Sequence, residues 1–249
     1  MTDRGRIRPT NEDCFGIDND LRLCVVADGM GGHNAGEVAA RMAVEAVTDY
    51  VRTASLHQGE PAWPFGFDAS LSAAGNVLRT AIHIASVQIL ESTLTAREWT
   101  GMGTTIVATL VRNRSLTVAH VGDSRLYLFA RRTLRQVTRD DSWMMAVLAE
   151  HPTTDPFALQ HHPLRGALTN VVGARSRTVV HVAEEALCGG ELLALTTDGV
   201  HDVLDDRRIE RLLAEGGSPD EIAPSLIRAA LARGSQDNCT AVVAQYLAG

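Results

Sequence analysis

The chain has 249 residues, 45% hydrophobic and 21% charged, with a formal net charge of −7, the proportions of a globular protein long enough for a substantial core. That charge excludes a nucleic-acid partner, which needs clustered positive charge, and the basic residues are all arginine, leaving no lysine for a Schiff base or a P-loop. No apolar run reaches the roughly 18 residues of a membrane span, the N-terminus lacks a signal peptide's apolar core, and Cys14, Cys24, Cys188 and Cys239 have no CxxC spacing for zinc or redox work, so a cytoplasmic location is expected.

Arg4 to Ile17 reads as extended segments around a polar knot, Thr10-Asn11-Glu12-Asp13. Leu21 to Ala27 is a valine-rich apolar run expected as a buried strand. Asp28 ends it, with Gly29, Gly31 and Gly32 close behind. Ala40, Val44, Val47 and Val51 then recur at helical spacing, and Ser55 to Gly66 reads as a loop. A second helix is expected from Leu71, Ala74, Leu78, Ile82, Ala85 and Ile89. Two successive helices between strands do not match the alternation of a parallel doubly wound sheet.

From Gly103 the pattern turns to strands: Thr104 to Val111 and Ser115 to Val121 on either side of Arg112-Asn113-Arg114, then Arg125 to Ala130 and Leu134 to Thr138 across another short arginine turn. Ser142 to Glu150 is expected as a short helix and His151 to Pro163 as a loop. Strands near Thr178 to Glu184 and Glu191 to Thr197 lead to Asp198-Gly199. Helices over Arg207 to Leu213 and Pro219 to Arg233 are split by Gly216-Gly217-Ser218, and Cys239 to Leu247 is the last strand. No repeat or linker divides the chain, so one domain is expected.

Asp28, Asp123 and Asp198 each close an apolar strand, and Asp237 immediately precedes the last one. If these strands lie side by side, about 4.8 Å apart, their ends bring four carboxylates to one rim. Crowded carboxylates raise one another's pKa. Divalent cations relieve that repulsion, and an all-oxygen shell selects magnesium, manganese or calcium over zinc. The alternative is that each aspartate simply forms a turn. No HExxH pair is present, His151, His161 and His162 fall in a Pro-rich loop, and no GxSxG elbow appears.

The phrases RPTNEDCFG (8–16), VVADGMGGH (25–33), GMGTTIVA (101–108), AHVGDSRLYL (119–128), TRDDS (138–142), LRGALTNVVG (164–173), LALTTDGV (193–200) and QDNCTAVV (236–243) together resemble the bacterial metal-dependent serine/threonine protein phosphatases of type 2C, and they span nearly the whole chain. The resemblance implies an α+β fold, a four-layer αββα sandwich of two antiparallel sheets flanked by pairs of helices. It also implies a binuclear manganese or magnesium centre at one end of the sandwich. On that resemblance Asp28 bridges the metals and Asp198 and Asp237 complete one site. Glu12, partly through water, and the Gly29 carbonyl serve the other, while Asp123 with Asp198 holds a weaker third metal. Arg8 falls where the family grips the substrate phosphate, and Asp13 and Asn238 brace the ligand-bearing turns. The implied reaction is hydrolysis of phosphoserine or phosphothreonine by an activated water, without a covalent enzyme intermediate. Phosphorylated proteins and a cognate kinase are the implied partners of a cytoplasmic monomer.

The pattern departs from the family in three places. Met30 stands where eukaryotic relatives carry a histidine credited as general acid, which leaves that role unassigned, with His33 nearby. The chain starts at the TDRG phrase, so the edge strand that relatives place before it is expected to be absent or trimmed. Residues 142–164 correspond to a variable flap whose wording is individual to this chain. Two other functions remain open on the sequence alone: a phosphatase-like binding or regulatory module, and a phosphohydrolase for small phosphoesters.

Overall fold

The computed structural model describes residues 1–32, 35–56 and 62–248. Eleven strands are present among them: β1 (Thr2–Asp3), β2 (Asp13–Asp18), β3 (Leu23–Met30), β4 (Gly103–Thr104), β5 (Ile106–Arg112), β6 (Ser115–Val121), β7 (Arg125–Ala130), β8 (Thr133–Gln136), β9 (His181–Ala186), β10 (Leu192–Thr196) and β11 (Cys239–Gln245). The helices are α1 (Ala35–Leu56), α2 (Ala73–Thr95), α3 (Trp143–Glu150), α4 (Pro156–Leu159), α5 (Asp198–His201), α6 (Asp206–Ala214) and α7 (Pro219–Ala232). One sheet runs β1-β11-β10-β7-β8. The other runs β2-β3-β5-β6-β9, with β4 paired to β3, and every pairing is antiparallel.

The period-two alternation of side chains sorts the strands' apolar residues into three layers. In β3, Leu23, Val25 and Ala27 join the core beneath α1 and α2. Cys24 and Val26, between them, face the core shared by the two sheets. In β10, Leu193 and Leu195 enter that same intersheet core, while Leu192 and Ala194 meet Ile209, Leu226 and Ile227 of α6 and α7. Both faces of these strands are therefore covered, which is why they read as unbroken apolar runs. Each fully buried leucine or isoleucine stabilises the fold by roughly 1.5–3 kcal/mol. The result is the expected α+β sandwich, with α1 and α2 on one side and α6 and α7 on the other.

Several boundaries move. α1 begins at Ala35, ahead of the first periodic valines, because its first turns carry small buried residues, Ala35, Gly36, Ala39 and Ala40, that let the helix approach β3 closely. Ser55 and Leu56 belong to this helix rather than to a loop, and residues 57–61 of that loop lie outside the described residues. α2 starts after its cap Ser72, whose Oγ accepts from the Gly75 amide at 3.1 Å. The single turns α4 and α5 have no periodic signature and fall where a loop and a strand end are expected. Thr2–Asp3 itself provides an edge strand on β11, and the Met1 amino group donates to the Ala241 carbonyl at 2.8 Å.

Candidate metal centre

The acids gather where the two sheets end together. Asp28 lies near the end of β3, opposite Asp13 in the β2–β3 ladder. Asp123 lies in the turn from β6 of one sheet to β7 of the other. Asp198 follows β10 and opens α5, and Asp237 precedes β11. Arg8, Glu12, Asp28, Gly29, Asp123, Asp198 and Asp237 all line one cavity of about 280 Å³, with Met30, Thr105, Gly166 and Leu168 among its other walls. All seven residues expected at the site are thus brought together. His33 lies outside the described residues.

Backbone contacts fix the Asp28 turn from both sides. Its amide donates to Thr105 Oγ1 at 3.1 Å, and its carbonyl accepts from the Thr105 amide and from Thr104 Oγ1, each at 2.8 Å. The next amide, Gly29, donates to the Glu12 carbonyl at 3.1 Å. A Cβ at Gly29 would stand 2.0 Å from the Gly36 carbonyl oxygen, so only glycine lets the N-terminal turn of α1 close on this strand end. Gly199 is under the same constraint, its would-be Cβ lying 1.9 Å from the Asn238 carbonyl oxygen.

Asn238 joins the chain ends to the site. Its side-chain oxygen accepts from the Glu12 amide at 2.8 Å, and its side-chain nitrogen donates to the carbonyls of Arg4 and Thr10 at 2.8 and 2.9 Å. Buried Asp13 accepts from the Thr197 hydroxyl at 2.9 Å, tying β2 to the residue before Asp198. Both residues brace turns, as expected. Sequence reasoning missed the threonines: Thr105 holds Asp28 and bonds Ser124 at 2.7 Å, one residue beyond Asp123. The GMGTT and GDSR phrases placed them in the motifs but gave no sign of this contact.

The electrostatics are those of carboxylates lacking counter-charge. Burial pushes the Asp28 carboxyl well above its ordinary value, reinforced by Asp13, Asp198, Asp123 and Asp237. Burial, then Asp198, raises Asp123 to about 7. Asp198 rises to about 6 through burial and Asp237, and Asp13 to about 7 chiefly through burial. Asp198 Oδ1 is buried with no hydrogen-bond partner, a cost nature rarely leaves uncompensated. Arg8, half-exposed, donates to Asp237 at 2.6 Å.

Hard divalent cations fit this donor set: it is all oxygen, crowded and anionic, with an orphaned acceptor aimed at no protein donor. Among the described residues no three acids are already drawn into a closed coordination shell, so the fit rests on donor chemistry and convergence. Arg8, Asp198 and Asp237 also line a wider groove of about 750 Å³ that continues past Arg165 and Asp202. An opening of that size beside a carboxylate-lined cavity can seat a chain segment as well as a small ester. A cavity of about 220 Å³ at the opposite end of the same strands, lined by Leu23, Cys24, Leu193 and Tyr246, has no such gathering of acids.

Comparison with known proteins bears on this geometry. A family profile described as Protein phosphatase 2C matches residues 9–221. The chain is 32% identical over 248 residues to the serine/threonine phosphatase stp of Listeria welshimeri, covering 98% of this chain and 93% of that one. The crystal structure of the Mycobacterium tuberculosis serine/threonine phosphatase PstP/Ppp superposes with a TM-score of 0.85 at 29% identity, covering 100% of this chain and 97% of that chain. The catalytic domain of PstP in complex with two manganese ions matches with a TM-score of 0.78 at 30% identity, over 100% and 96% of the two chains.

Proposed function

The chain belongs to the protein phosphatase 2C family and is a metal-dependent serine/threonine protein phosphatase, and from that premise we propose how its own residues divide the work. Asp28, Asp198 and Asp237 would hold one cation, Glu12 and the Gly29 carbonyl together with Asp28 a second, and Asp123 with Asp198 a third, weaker one. Manganese or magnesium suits these oxygens, and manganese is the ion bound by the related PstP domain. When bound, such a pair supplies a water acidic enough to attack phosphorus near neutral pH.

The chain's own residues bind and orient. The observation that carries the reading is the meeting of five acids and one arginine in a single cavity, with a buried carboxylate oxygen left unpartnered. Arg8 uses one guanidinium nitrogen on Asp237, so its other N–H donors remain available for two-point contact with phosphoryl oxygens. Asp237 keeps that guanidinium at the mouth of the cavity. Thr104, Thr105 and Asn238 hold the ligand-bearing turns in register. The intact acids argue against a non-catalytic module.

Residues 1–249 act as one catalytic domain, and 142–164 as its variable flap. Within that flap Trp143 stacks on His162 with ring centroids 4.2 Å apart, closing the segment on itself. No helix among the described residues is long and apolar enough to cross a membrane. The phosphatase works as a monomer in the cytoplasm, reversing the action of a serine/threonine kinase. The test is initial-rate hydrolysis of a phosphothreonine peptide with manganese or magnesium. Asp28→Asn and Asp198→Asn should each lower kcat by about a thousandfold or more, given what a metal-activated water contributes. Undiminished turnover in excess EDTA would refute the reading.

A further inference from the structure

Beside the metal cavity lies a second hollow of about 340 Å³ whose polar lining includes Arg175, Arg177, His181, Asn170 and Asp141, with Leu168 forming a wall common to both cavities. Its charge is opposite to that of the cavity next door. Arg175 and Arg177 are exposed, and among the described residues neither makes an ion pair or a hydrogen bond.

Asp141 is the acid in this hollow, and its oxygens are committed elsewhere. Oδ2 accepts from the Gly122 amide at 3.0 Å and from Asn170 Nδ2 at 2.8 Å, and Oδ1 pairs with His181 Nε2 at 2.9 Å. Asn170 is spent as well, its amide bonding the Val179 backbone in both directions. Among the described residues, the charged side chains of the lining left without a partner are the two guanidinium groups of Arg175 and Arg177. The bond from Asp141 raises the His181 pKa against the opposing effects of burial and Arg139. On a chain of net charge −7, two unpaired arginines in one concavity are a site prepared for an anion.

We propose that this hollow binds a phosphoryl group other than the one being hydrolysed. Resting on the phosphatase reading, this names the substrate class as proteins phosphorylated at neighbouring positions, with free inorganic phosphate as the other source of the same chemistry. Leu168 lines both cavities, so the two adjoin, and a peptide extended at roughly 3.3–3.6 Å per residue can run from one into the other.

The test compares a singly phosphorylated threonine peptide with versions carrying a second, non-hydrolysable phosphonate at increasing distances on either side. With manganese, the wild type should show kcat/KM about tenfold higher for the best-spaced version, as two charge-assisted contacts allow. The Arg175→Ala/Arg177→Ala variant should lose that gain while hydrolysing the singly phosphorylated peptide as the wild type does. If the site takes free phosphate instead, added phosphate will give a partial, non-competitive change in the wild-type rate that the variant lacks, and the second phosphonate will bring nothing. If the two proteins behave alike in both arms while each hydrolyses the single phosphate, the anion site is overturned and the phosphatase reading stands. No hydrolysis of the single phosphate by the wild type would remove both.

Discussion

Asp123 offers a direct measure of the strain that crowded carboxylates put on the metal-free protein. Burial, then Asp198, Asp140 and Asp202, raises its pKa from 3.8 to about 7. An acid whose folded-state pKa is raised favours the fold below its unfolded pKa and loses that advantage as pH climbs towards the folded value. The penalty therefore grows from about pH 4 to about pH 7 and is level above it. About three pH units correspond to roughly 4 kcal/mol. The side chain lines a cavity that water enters and keeps part of its hydration, so about 2 kcal/mol is the expected penalty. Asp123→Asn removes the charge and keeps the shape. In EDTA at pH 8 it should raise Tm by roughly 4–8 °C for a chain of this size, while at pH 4 the two proteins should melt together. Thermal melts followed by circular dichroism across this range provide the assay. With saturating manganese the gain should shrink or reverse, because the cation then supplies the missing counter-charge. A variant that melts at or below wild type at pH 8 in EDTA would refute the idea that these acids repel one another.

Arg8→Ala should raise KM for phosphopeptides about tenfold or more while shifting stability by less than about 1 kcal/mol, because its ion pair with Asp237 is half-exposed; a large fall in Tm with unchanged KM would contradict a substrate role. Gly29→Ala forces a Cβ to within 2.0 Å of the Gly36 carbonyl oxygen, so it should destabilise by roughly 3 kcal/mol or more and weaken manganese binding, read by denaturant melts and calorimetry. Asp140→Ala strands the Arg125 guanidinium, which makes three hydrogen bonds to that carboxylate from a largely buried position. It should cost roughly 3–5 kcal/mol in urea melts, and a loss under 1 kcal/mol would show the pair to be solvated.

Repetition is what makes the site legible in the amino-acid chain. Asp28, Asp123 and Asp198 stand in similar apolar contexts, and a period-two strand buried on both faces advertises itself as an unbroken valine and leucine run. The strand ends, and therefore the acids, can be placed from that alone. Contacts made across the fold leave no such mark. Nothing in the sequence links Thr105 to Ser124, or Gly29 to Gly36, because each contact depends on how two elements approach. The bonding of Asp141 to Gly122, Asn170 and His181 is equally hidden, since its members come from four different segments. Single turns such as α5 are too short to show a helical period, yet α5 is what places Gly199 against the Asn238 backbone.

The location of the acids explains why a sandwich of this kind can carry a cation-dependent site at its rim. Glu12 immediately precedes, and Asp28 lies in, the sheet under α1 and α2, whereas Asp198 and Asp237 flank strands of the opposite sheet, and Asp123 lies on the connection from one to the other. Apolar packing joins the sheets in the intersheet core of Val26, Val107, Leu126 and Leu195, and at the rim that packing gives way to like charges, with only polar links such as Thr197–Asp13 and Glu12–Asn238 crossing between the sheets. A cation shared by Asp28 and Asp198 would join the two sheets just where their packing ends. Removing it should loosen the rim and leave the core intact: amide exchange should quicken at residues 28–31 and 198–202 and stay slow in β5, β6 and β10. Uniform acceleration through all the strands would mean instead that the whole sandwich depends on its metal.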